Sequence, residues 1–411
     1  MRRWTKWTAW GLGGALLAGC GISDPADTPG RPARGATPVA TGDGSSVDGG
    51  PQPQGWTPER LKAGEAPPQF VVLSWDGAGA TDGTFARVRQ AARLNGATMT
   101  FFLSGLYLLP ERRRHLYRPP HRAAGASDLG VLTDRQIRDT VLNLGLAWRE
   151  GDEIGTQFNG HYCGRSGVRT WTAADWKREI RQAVGFVGSW KTHTGFTDLP
   201  PLPFDYGTEL VGGRTPCLGG GRTLRKAARQ LGWKYDASGT GRQVWPRRNR
   251  GLWRLPVQTL PFPGRAAEVR GTDHDILRAQ IPHGFYGSAH RRPHWRKEAR
   301  AVLQAGFERA YRGNRAPLVL GNHFAHWNGG IHLEAVHELL TRNARRPDVR
   351  FVSFKQLVAW LELQDPAVLA ALRALPVGKA PAKGWADYLS PAARPGPAHP
   401  DLPRTEPRKT G

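Results

Sequence analysis

Short apolar runs alternate along this chain with stretches in which apolar positions recur at helical spacing. Residues 70–75 form a short apolar run, which is typical of a strand buried on both faces of a parallel sheet, and residues 97–103 are the next predicted strand. Between them, residues 84–94 have the pattern of a helix. Thr133 and Gln136 then form a capping-box pair ahead of a further helical pattern. These elements predict a repeating strand–helix unit.

The same alternation continues to about residue 363. Thr172 and Asp175 mark the start of a second capped helix. Strands alternating with helices in about seven units predict an α/β fold, a distorted parallel (β/α) barrel rather than an open sheet. The further predicted strands are residues 153–156, 210–214, 233–236, 253–257, 318–322 and 349–352, and the further predicted helices are residues 298–311, 331–341 and 354–363.

Both flanks of the predicted barrel, residues 69–364, have a different composition. Residues 20–68 are rich in Gly, Pro, Ser, Thr and Asp and predict a disordered tether, because they contain too little apolar surface to fold. Residues 365–411 predict a tail rich in Pro, Ala and Arg. Within that tail, Trp385 and Tyr388 are candidates for docking back onto the domain.

The N-terminus has the pattern of a secretion signal. A basic start is followed by a short apolar stretch, residues 7–18, that is too short for a comfortable membrane span. The stretch ends in Leu17-Ala18-Gly19-Cys20, which resembles a bacterial lipobox. We therefore expect residues 1–19 to be a signal peptide, Cys20 to carry lipid, and the protein to be anchored to the membrane on the bacterial cell surface. The alternative is an ordinary signal peptide with an incidental cysteine.

The remaining two cysteines are Cys163 and Cys217. An even number of cysteines in an oxidising compartment favours a disulfide between them. Two buried free thiols are the alternative.

The chain is strongly basic, with 58 Lys and Arg against 34 Asp and Glu and a formal net charge of +24. Such a balance is compatible with nucleic acid, an anionic membrane or an acidic polymer as partner, and equally with arginines spread over a solvated surface. No predicted helix has a continuous basic face with interleaved aromatic residues, so we expect no nucleic-acid partner.

Polar side chains follow several of the predicted strands. Asp76, His161, Arg214 and His323 each come at or just after the end of a strand. Because the carboxyl ends of barrel strands meet at one rim, these residues can converge there. A carboxylate and a histidine at one rim fit general acid–base hydrolysis. The alternatives are a helix cap or turn for Asp76, packing over a disulfide for His161 and a structural ion pair for Arg214.

These residues lie in motifs that occur together in a known family. Ser74-Trp75-Asp76-Gly77, Glu153-Ile154-Gly155 through His161, Arg214-Thr215-Pro216 and Leu320-Gly321-Asn322-His323 follow the order of the polysaccharide deacetylase (NodB-homology, carbohydrate esterase family 4) motifs. The resemblance covers about residues 70–363 and extends to a bacterial lipoprotein branch of that family. It implies hydrolysis of acetyl groups on a glycan.

The resemblance also implies roles for individual residues. The family uses a divalent metal, zinc or cobalt, held by one Asp and two His. Asp76 matches the catalytic base, Arg214 the residue that tunes it, and His323 the catalytic acid. His161 matches one metal ligand, whereas Gly77 and Gln157 occupy the other two ligand positions and are substituted.

Three functions remain open from the sequence. The first is an active deacetylase with a rearranged metal site, to which Asp82, Asp152 or His326 adds a ligand. The second is a glycan-binding domain that has lost the metal, and the third is a basic protein bound to anionic wall polymers. We favour a deacetylase-like protein with a degenerate metal site, which holds a divalent metal if the site is rearranged and no cofactor otherwise. Its expected partners are an acetylated glycan or cell-wall polymer and the membrane, reached through the lipid anchor. The expected substrate-binding residues are Trp75, Trp327 and Asn322.

Overall fold

The computed structural model describes residues 40–390. The strands are β1 (Ala40–Thr41), β2 (Ser46–Val47), β3 (Gln69–Asp76), β4 (Thr100–Leu103), β5 (Glu153–Thr156), β6 (Gly212–Gly213), β7 (Tyr235–Asp236), β8 (Thr240–Gly241), β9 (Arg247–Asn249), β10 (Leu252–Arg254), β11 (Val257–Leu260), β12 (Val269–Arg270), β13 (Leu318–His323) and β14 (Val349–Phe351). The α-helices are α1 (Thr84–Leu94), α2 (Asp134–Arg149), α3 (Ala173–Gly188), α4 (Trp190–Thr194), α5 (Tyr206–Glu209), α6 (Gly221–Gln230), α7 (Asp273–Gln280), α8 (Arg292–Tyr311), α9 (Ile331–Asn343), α10 (Phe354–Leu363), α11 (Pro366–Ala374) and α12 (Gly384–Tyr388).

A mainly parallel, nine-stranded sheet forms the centre of the described chain. Its strands follow the order β13-β3-β4-β5-β6-β7-β10-β9, with β14 also paired to β3. Only β9 pairs antiparallel, through a hairpin with β10, and this hairpin is one reason why the sheet has more than the seven or so strands expected. The predicted α/β fold with a distorted parallel barrel is confirmed.

A second, three-stranded sheet of β8, β11 and β12 lies beside β13. The amide of Gly321 in β13 donates a hydrogen bond to the carbonyl of Gly271 at 3.0 Å, just after β12. The distortion of the barrel therefore has a structural origin: this side is covered by a small separate sheet instead of a continuous ladder.

Alternation along β3 decides which residues face the barrel interior. Phe70 and Val72 belong to the interior cluster that packs against Trp360 of α10, whereas Val71, Leu73 and Trp75 belong to the cluster beneath the outer helices. Because side chains of a strand alternate between its two faces, Ser74 and Asp76 share the interior face. The sheet thus presents Asp76 at the open end of the barrel.

Most predicted elements agree with the structure, and the differences have local causes. Helices α1 and α10 have the predicted bounds, and both predicted capping boxes, at Thr133 and Thr172, are formed. The strand predicted at residues 253–257 is split into β10 and β11 because Pro256 between them has no amide hydrogen to donate.

The tether prediction is wrong for residues 40–68. The β1–β2 hairpin packs on the domain, where the indole of Trp190 donates to the carbonyl of Ser45 at 2.8 Å and the amide of Val47 donates to Leu202 at 2.9 Å. Hydrogen bonds to backbone groups hold this polar segment without much apolar burial. Residues 1–39, including the predicted signal peptide and Cys20, lie outside the described residues.

The predicted domain end at residue 364 is also too early. Helix α11 buries Val368, Leu369 and Leu372, and the hydroxyl of Tyr388 donates to the carbonyl of Ala371 at 2.7 Å. Trp385 and Tyr388 pack against the interior cluster, as expected. The folded domain therefore continues to residue 390, and residues 391–411 lie outside the described part. Among helices of residues 40–390, none has the length and apolar character needed to span a membrane.

Candidate active site

Asp76 and Arg214 form an ion pair at the open end of the barrel. A guanidinium Nη1 of Arg214 donates to Asp76 Oδ1 at 2.9 Å and to Ser74 Oγ at 2.7 Å. The Arg214 side chain is fully buried and lies against the ring of Phe102, with 4.9 Å between the guanidinium carbon and the ring centroid. The predicted pairing of these two residues is present, and it fixes the Asp76 carboxylate in one orientation.

His323 is held by a carboxylate that the sequence patterns did not identify. Asp273, at the start of α7, accepts a hydrogen bond from His323 Nδ1 at 2.8 Å and another from the His323 amide at 2.7 Å. The Asp273 side chain is 4 % exposed, whereas that of His323 is 31 % exposed. Because Nδ1 is used for Asp273, the Nε2 atom of His323 is left to face a substrate.

The charge of Asp273 sets the protonation of His323. Burial alone lowers the pKa of the imidazole, but the negative charge and hydrogen bond of Asp273, together with the charge of Asp76, raise the pKa from 6.5 to about 9. His323 is therefore protonated at neutral pH. A protonated imidazole with one free N–H is a proton donor, which agrees with the role expected from the motif.

The base and acid candidates lie side by side. Strands β3 and β13 pair in parallel with Asp76 directly opposite His323, so the two residues lie on adjacent strands. Arg214 directly follows β6, which is separated from β3 by β4 and β5 in the sheet. Its side chain reaches Asp76 across the barrel interior. The structure brings together Asp76, Arg214 and His323, as the sequence predicts.

The loop after β5 carries His161 and is held by a buried carboxylate. Glu179 of α3 accepts hydrogen bonds from the amide of Asn159 at 3.1 Å and from the hydroxyl of Tyr117 at 2.9 Å. His161 has a left-handed backbone with φ 56°. Burial, followed by the charge of His323, lowers the pKa of His161 despite the opposing charge of Asp76. His161 is thus a neutral imidazole close to the acid and base candidates.

The predicted disulfide is formed between Cys163 and Cys217, whose Cα atoms are 5.8 Å apart. It joins the loop that carries His161 to the loop that follows Arg214. His161 Nδ1 also lies 3.9 Å from Cys163 Sγ, so the histidine packs against the disulfide as well as lying near the site. The covalent link holds two of the rim loops at a fixed separation.

The two substituted ligand positions, 77 and 157, lie next to each other in the structure. Gly77 has φ +71°, and a Cβ atom built on it would lie 3.5 Å from Gln157 Oε1 and 3.6 Å from the hydroxyl of Tyr107. Side chains at positions 77 and 157 would therefore meet, as ligands of one ion must. Glycine supplies no ligand, and an amide oxygen is a poor zinc ligand beside imidazole.

The residues present do not fit the expected metal. Within residues 40–390, no group of three or more His, Cys, Asp or Glu side chains is arranged to hold an ion. Of the alternative ligands, Asp152 is excluded because it lies at the opposite end of β5, where its carboxylate accepts the amide of Met99 at 2.7 Å. Asp82 and His326 pair with each other, with 3.0 Å between Oδ2 and Nε2. The rearranged metal site is thus not supported.

Two of the three expected substrate-binding residues are wrong. Trp75 is 2 % exposed, lies on the outer face of β3 and donates its indole hydrogen to Met99 Sδ at 3.1 Å. Asn322 is likewise 2 % exposed and donates to the carbonyl of Ser74 at 3.2 Å, so that it joins two strands. Trp327, by contrast, lies beside the acid candidate, with 5.1 Å between its ring centroid and that of His323.

Comparison with known proteins gives likenesses among solved structures. No family model matches the chain, and neither does any curated protein. A structure from Mycobacterium smegmatis, classed with the polysaccharide deacetylases, is similar at 14% identity and a TM-score of 0.43 over 74% of this chain and 95% of that one. The peptidoglycan deacetylase PdaC from Bacillus subtilis, as a point mutant, is similar at 11% identity and a TM-score of 0.37 over 72% and 92%. A pseudoenzyme of carbohydrate esterase family 4 from Bacillus anthracis is similar at 9% identity and a TM-score of 0.37 over 76% and 72%.

Proposed function

We propose that this chain is a cell-surface lipoprotein of the polysaccharide deacetylase type, which hydrolyses N- or O-acetyl groups of a cell-wall or extracellular glycan. One observation carries the proposal. A carboxylate and a protonated histidine lie on neighbouring strands, and each is held by its own charged partner, Asp76 by Arg214 and His323 by Asp273. General acid–base hydrolysis needs one group that accepts a proton and one that donates it.

The proposed reaction uses these two groups in sequence. Asp76 accepts a proton from water while the water oxygen attacks the carbonyl carbon of the acetyl group. The bond between that carbon and the sugar nitrogen or oxygen then breaks, and His323 Nε2 donates its proton to the leaving atom. The products are acetate and a free amine or hydroxyl, after which Asp76 releases its proton to solvent and His323 regains one. No step is assigned to a metal ion, because the ligand set does not fit one.

An aromatic surface beside His323 supports a sugar as substrate. Trp327 stacks on Phe285, with 5.4 Å between ring centroids and 27° between planes, and Phe285 is 43 % exposed. Exposed aromatic faces bind the apolar faces of sugar rings. We propose that Trp327 contacts the glycan there, and that the glycan lies across the rim next to the acid.

Acetate release by the full chain tests the proposal. Because removal of the imidazole leaves the buried Asp273 unpaired, His323→Gln is a better variant than His323→Ala: the glutamine side chain can still donate to Asp273. We expect turnover to fall by about 10²–10⁴-fold. His337→Ala, at an exposed position of α9, is the matched control and should leave turnover unchanged. Equal turnover of His323→Gln and the unaltered chain would remove the acid assignment.

A glycan-binding protein without hydrolytic activity is the second candidate. The substitutions at positions 77 and 157 favour it, because the expected metal ligands are missing. Glycan binding without any acetate release, together with loss of that binding in Trp327→Ala, would establish it.

Attachment to anionic wall polymers is the third candidate and rests on the net charge of +24. Binding that disappears at modest salt and does not depend on the sugar would support it, because salt screens exposed charges.

A further inference from the structure

The place that a metal ligand set would occupy is bordered by two neutral polar side chains. Tyr107 lies in the 3-10 turn Gly105–Leu108 directly after β4, and Gln157 directly follows β5. The two strands are adjacent, and the amide of Gln157 donates to the carbonyl of Leu103 at 2.8 Å. Both side chains therefore emerge at the same rim as Asp76.

The glycine-rich turn after β3 leaves room for these side chains. A Cβ atom at Gly79 would lie 2.8 Å from the Tyr107 ring, so the ring packs against the bare backbone of this turn. The built Cβ position at Gly77 lies 3.5 Å from Gln157 Oε1 and 3.6 Å from the Tyr107 hydroxyl. The space beside Asp76 is thus bounded by one amide and one hydroxyl.

Neither polar group is used by the fold. Gln157 is 3 % exposed, and within residues 40–390 its carboxamide has no hydrogen-bond partner, nor does the hydroxyl of Tyr107. Neither the Gln157 carboxamide atoms nor the Tyr107 hydroxyl is among the fully enclosed polar atoms of residues 40–390 that lack a partner, so a ligand at the rim can reach both groups. Burial raises the pKa of Tyr107, so its hydroxyl keeps its proton near neutral pH.

We propose that the Tyr107 hydroxyl and the Gln157 carboxamide together bind the carbonyl oxygen of the substrate's acetyl group, in place of the metal ion of the resembled family. The Tyr107 hydroxyl donates one hydrogen bond to that oxygen. The Gln157 Nε2 amide donates the other once the carboxamide turns over, which exchanges Nε2 with the Oε1 atom that faces Gly77 in this structure. As water attacks, the oxygen gains negative charge and the two donors stabilise it. The inference rests on the proposed function for its reaction and makes a separate claim, that the site recognises acetyl groups.

Two variants remove the donors with little change of shape: Tyr107→Phe and Gln157→Leu. The first measurement is acetate release from an N-acetylglucosamine oligomer by the full chain in the presence of a chelator. Each variant should lower kcat by about 10²-fold, since one donor of this kind contributes about that much. Tyr388→Phe removes a hydroxyl that bonds to Ala371 far from the rim and should leave kcat unchanged.

The second measurement is calorimetric affinity for the acetylated oligomer and for the same oligomer without acetyl groups. The unaltered chain should prefer the acetylated oligomer, and both donor variants should reduce that preference by at least fivefold, whereas Tyr388→Phe should keep it. None of these variants changes the net charge of the protein. The repulsion between the basic protein and the protonated amino groups of the oligomer without acetyl groups is therefore the same in all of them.

The two measurements separate the possible failures. In one outcome, the unaltered chain releases no acetate but prefers the acetylated oligomer, and both donor variants lose that preference. This outcome supports the inference and contradicts the proposed hydrolysis. An active chain whose kcat and acetyl preference are the same in Tyr107→Phe and Gln157→Leu overturns the inference and leaves the proposed function standing. No acetyl preference in the unaltered chain overturns the inference as well.

Discussion

Replacement of Asp273 by Asn tests, without any substrate, whether the charge of Asp273 keeps His323 protonated. Asp273→Asn keeps the shape of the side chain and removes the charge that raises the pKa of His323. Burial and the positive charge of Arg214 both lower that pKa, and Asp76 is the remaining charge that raises it. We therefore expect the pKa of His323 to fall from about 9 to its ordinary value of 6.5 or below.

The magnitude follows from the size of the pKa shift. A rise from 6.5 to about 9 corresponds to about 3 kcal/mol of preferential binding of the proton by the folded state. Because the folded pKa is the higher one, this stabilisation is complete below pH 6.5 and is lost as the pH rises through 9. The free energy of unfolding of the unaltered protein should decrease by about 3 kcal/mol across that window, and that of Asp273→Asn should be nearly flat there.

The assay is an NMR titration of the imidazole signals, with His323 assigned by the signal missing in His323→Gln. Asp275→Asn is the matched control, because Asp275 lies on the same helix but pairs with Arg270 and with Thr272. It should leave the pKa of His323 near 9. A His323 that titrates near 6.5 in the unaltered protein, or that keeps its pKa in Asp273→Asn, would refute the reasoning.

Three further predictions concern the rim loops. Burial raises the pKa of Glu179 from 4.5 to about 7, so the free energy of unfolding should decrease by up to about 3 kcal/mol as the pH rises from 4.5 to 7. Urea titrations at several pH values should show this decrease, and an equal decrease in Glu179→Gln would assign it to other groups. The double variant Gly77→Asp with Gln157→His should bind zinc at one equivalent by elemental analysis after dialysis; if it binds no more than the unaltered chain, the alignment of these two positions with the metal ligands is wrong. The Cys163→Ser and Cys217→Ser pair should lower the free energy of unfolding by about 2–5 kcal/mol in chemical denaturation, and an unchanged midpoint and slope would show that the disulfide contributes nothing.

The sequence was sufficient for the barrel and for three of the site residues. The apolar runs and capping boxes are local signals, and parallel strands bring their carboxyl ends together whatever the loops do. The positions of Asp76, Arg214 and His323 at strand ends are therefore enough to place all three at one rim. The number of cysteines, together with the oxidising compartment that the N-terminal pattern predicts, was likewise enough to predict the pairing of Cys163 with Cys217.

Residues that act from outside those strands could not be found in this way. Asp273 begins a helix after a two-residue strand, and nothing in its local pattern connects it to His323, fifty residues later. Tyr107 lies in a 3-10 turn that belongs to no motif. Both are positioned by tertiary contacts, which the local sequence does not encode.

Two errors could have been avoided by strict use of alternation. Trp75 lies between Ser74 and Asp76, so if Asp76 faces the barrel interior, Trp75 must face the opposite side. Asn322 stands in the same relation to His323. The tether error at residues 40–68 has another cause, since a polar segment can be held by backbone hydrogen bonds that its composition does not reveal.

The most direct test of the account is the amount of acetate that the full, chelator-treated chain releases from an N-acetylglucosamine oligomer. We predict that release continues after divalent metals are removed and falls by about 10²-fold or more in His323→Gln. No release by the unaltered chain under any metal condition would contradict hydrolysis at this site, and release that requires an added divalent metal would contradict the metal-free mechanism.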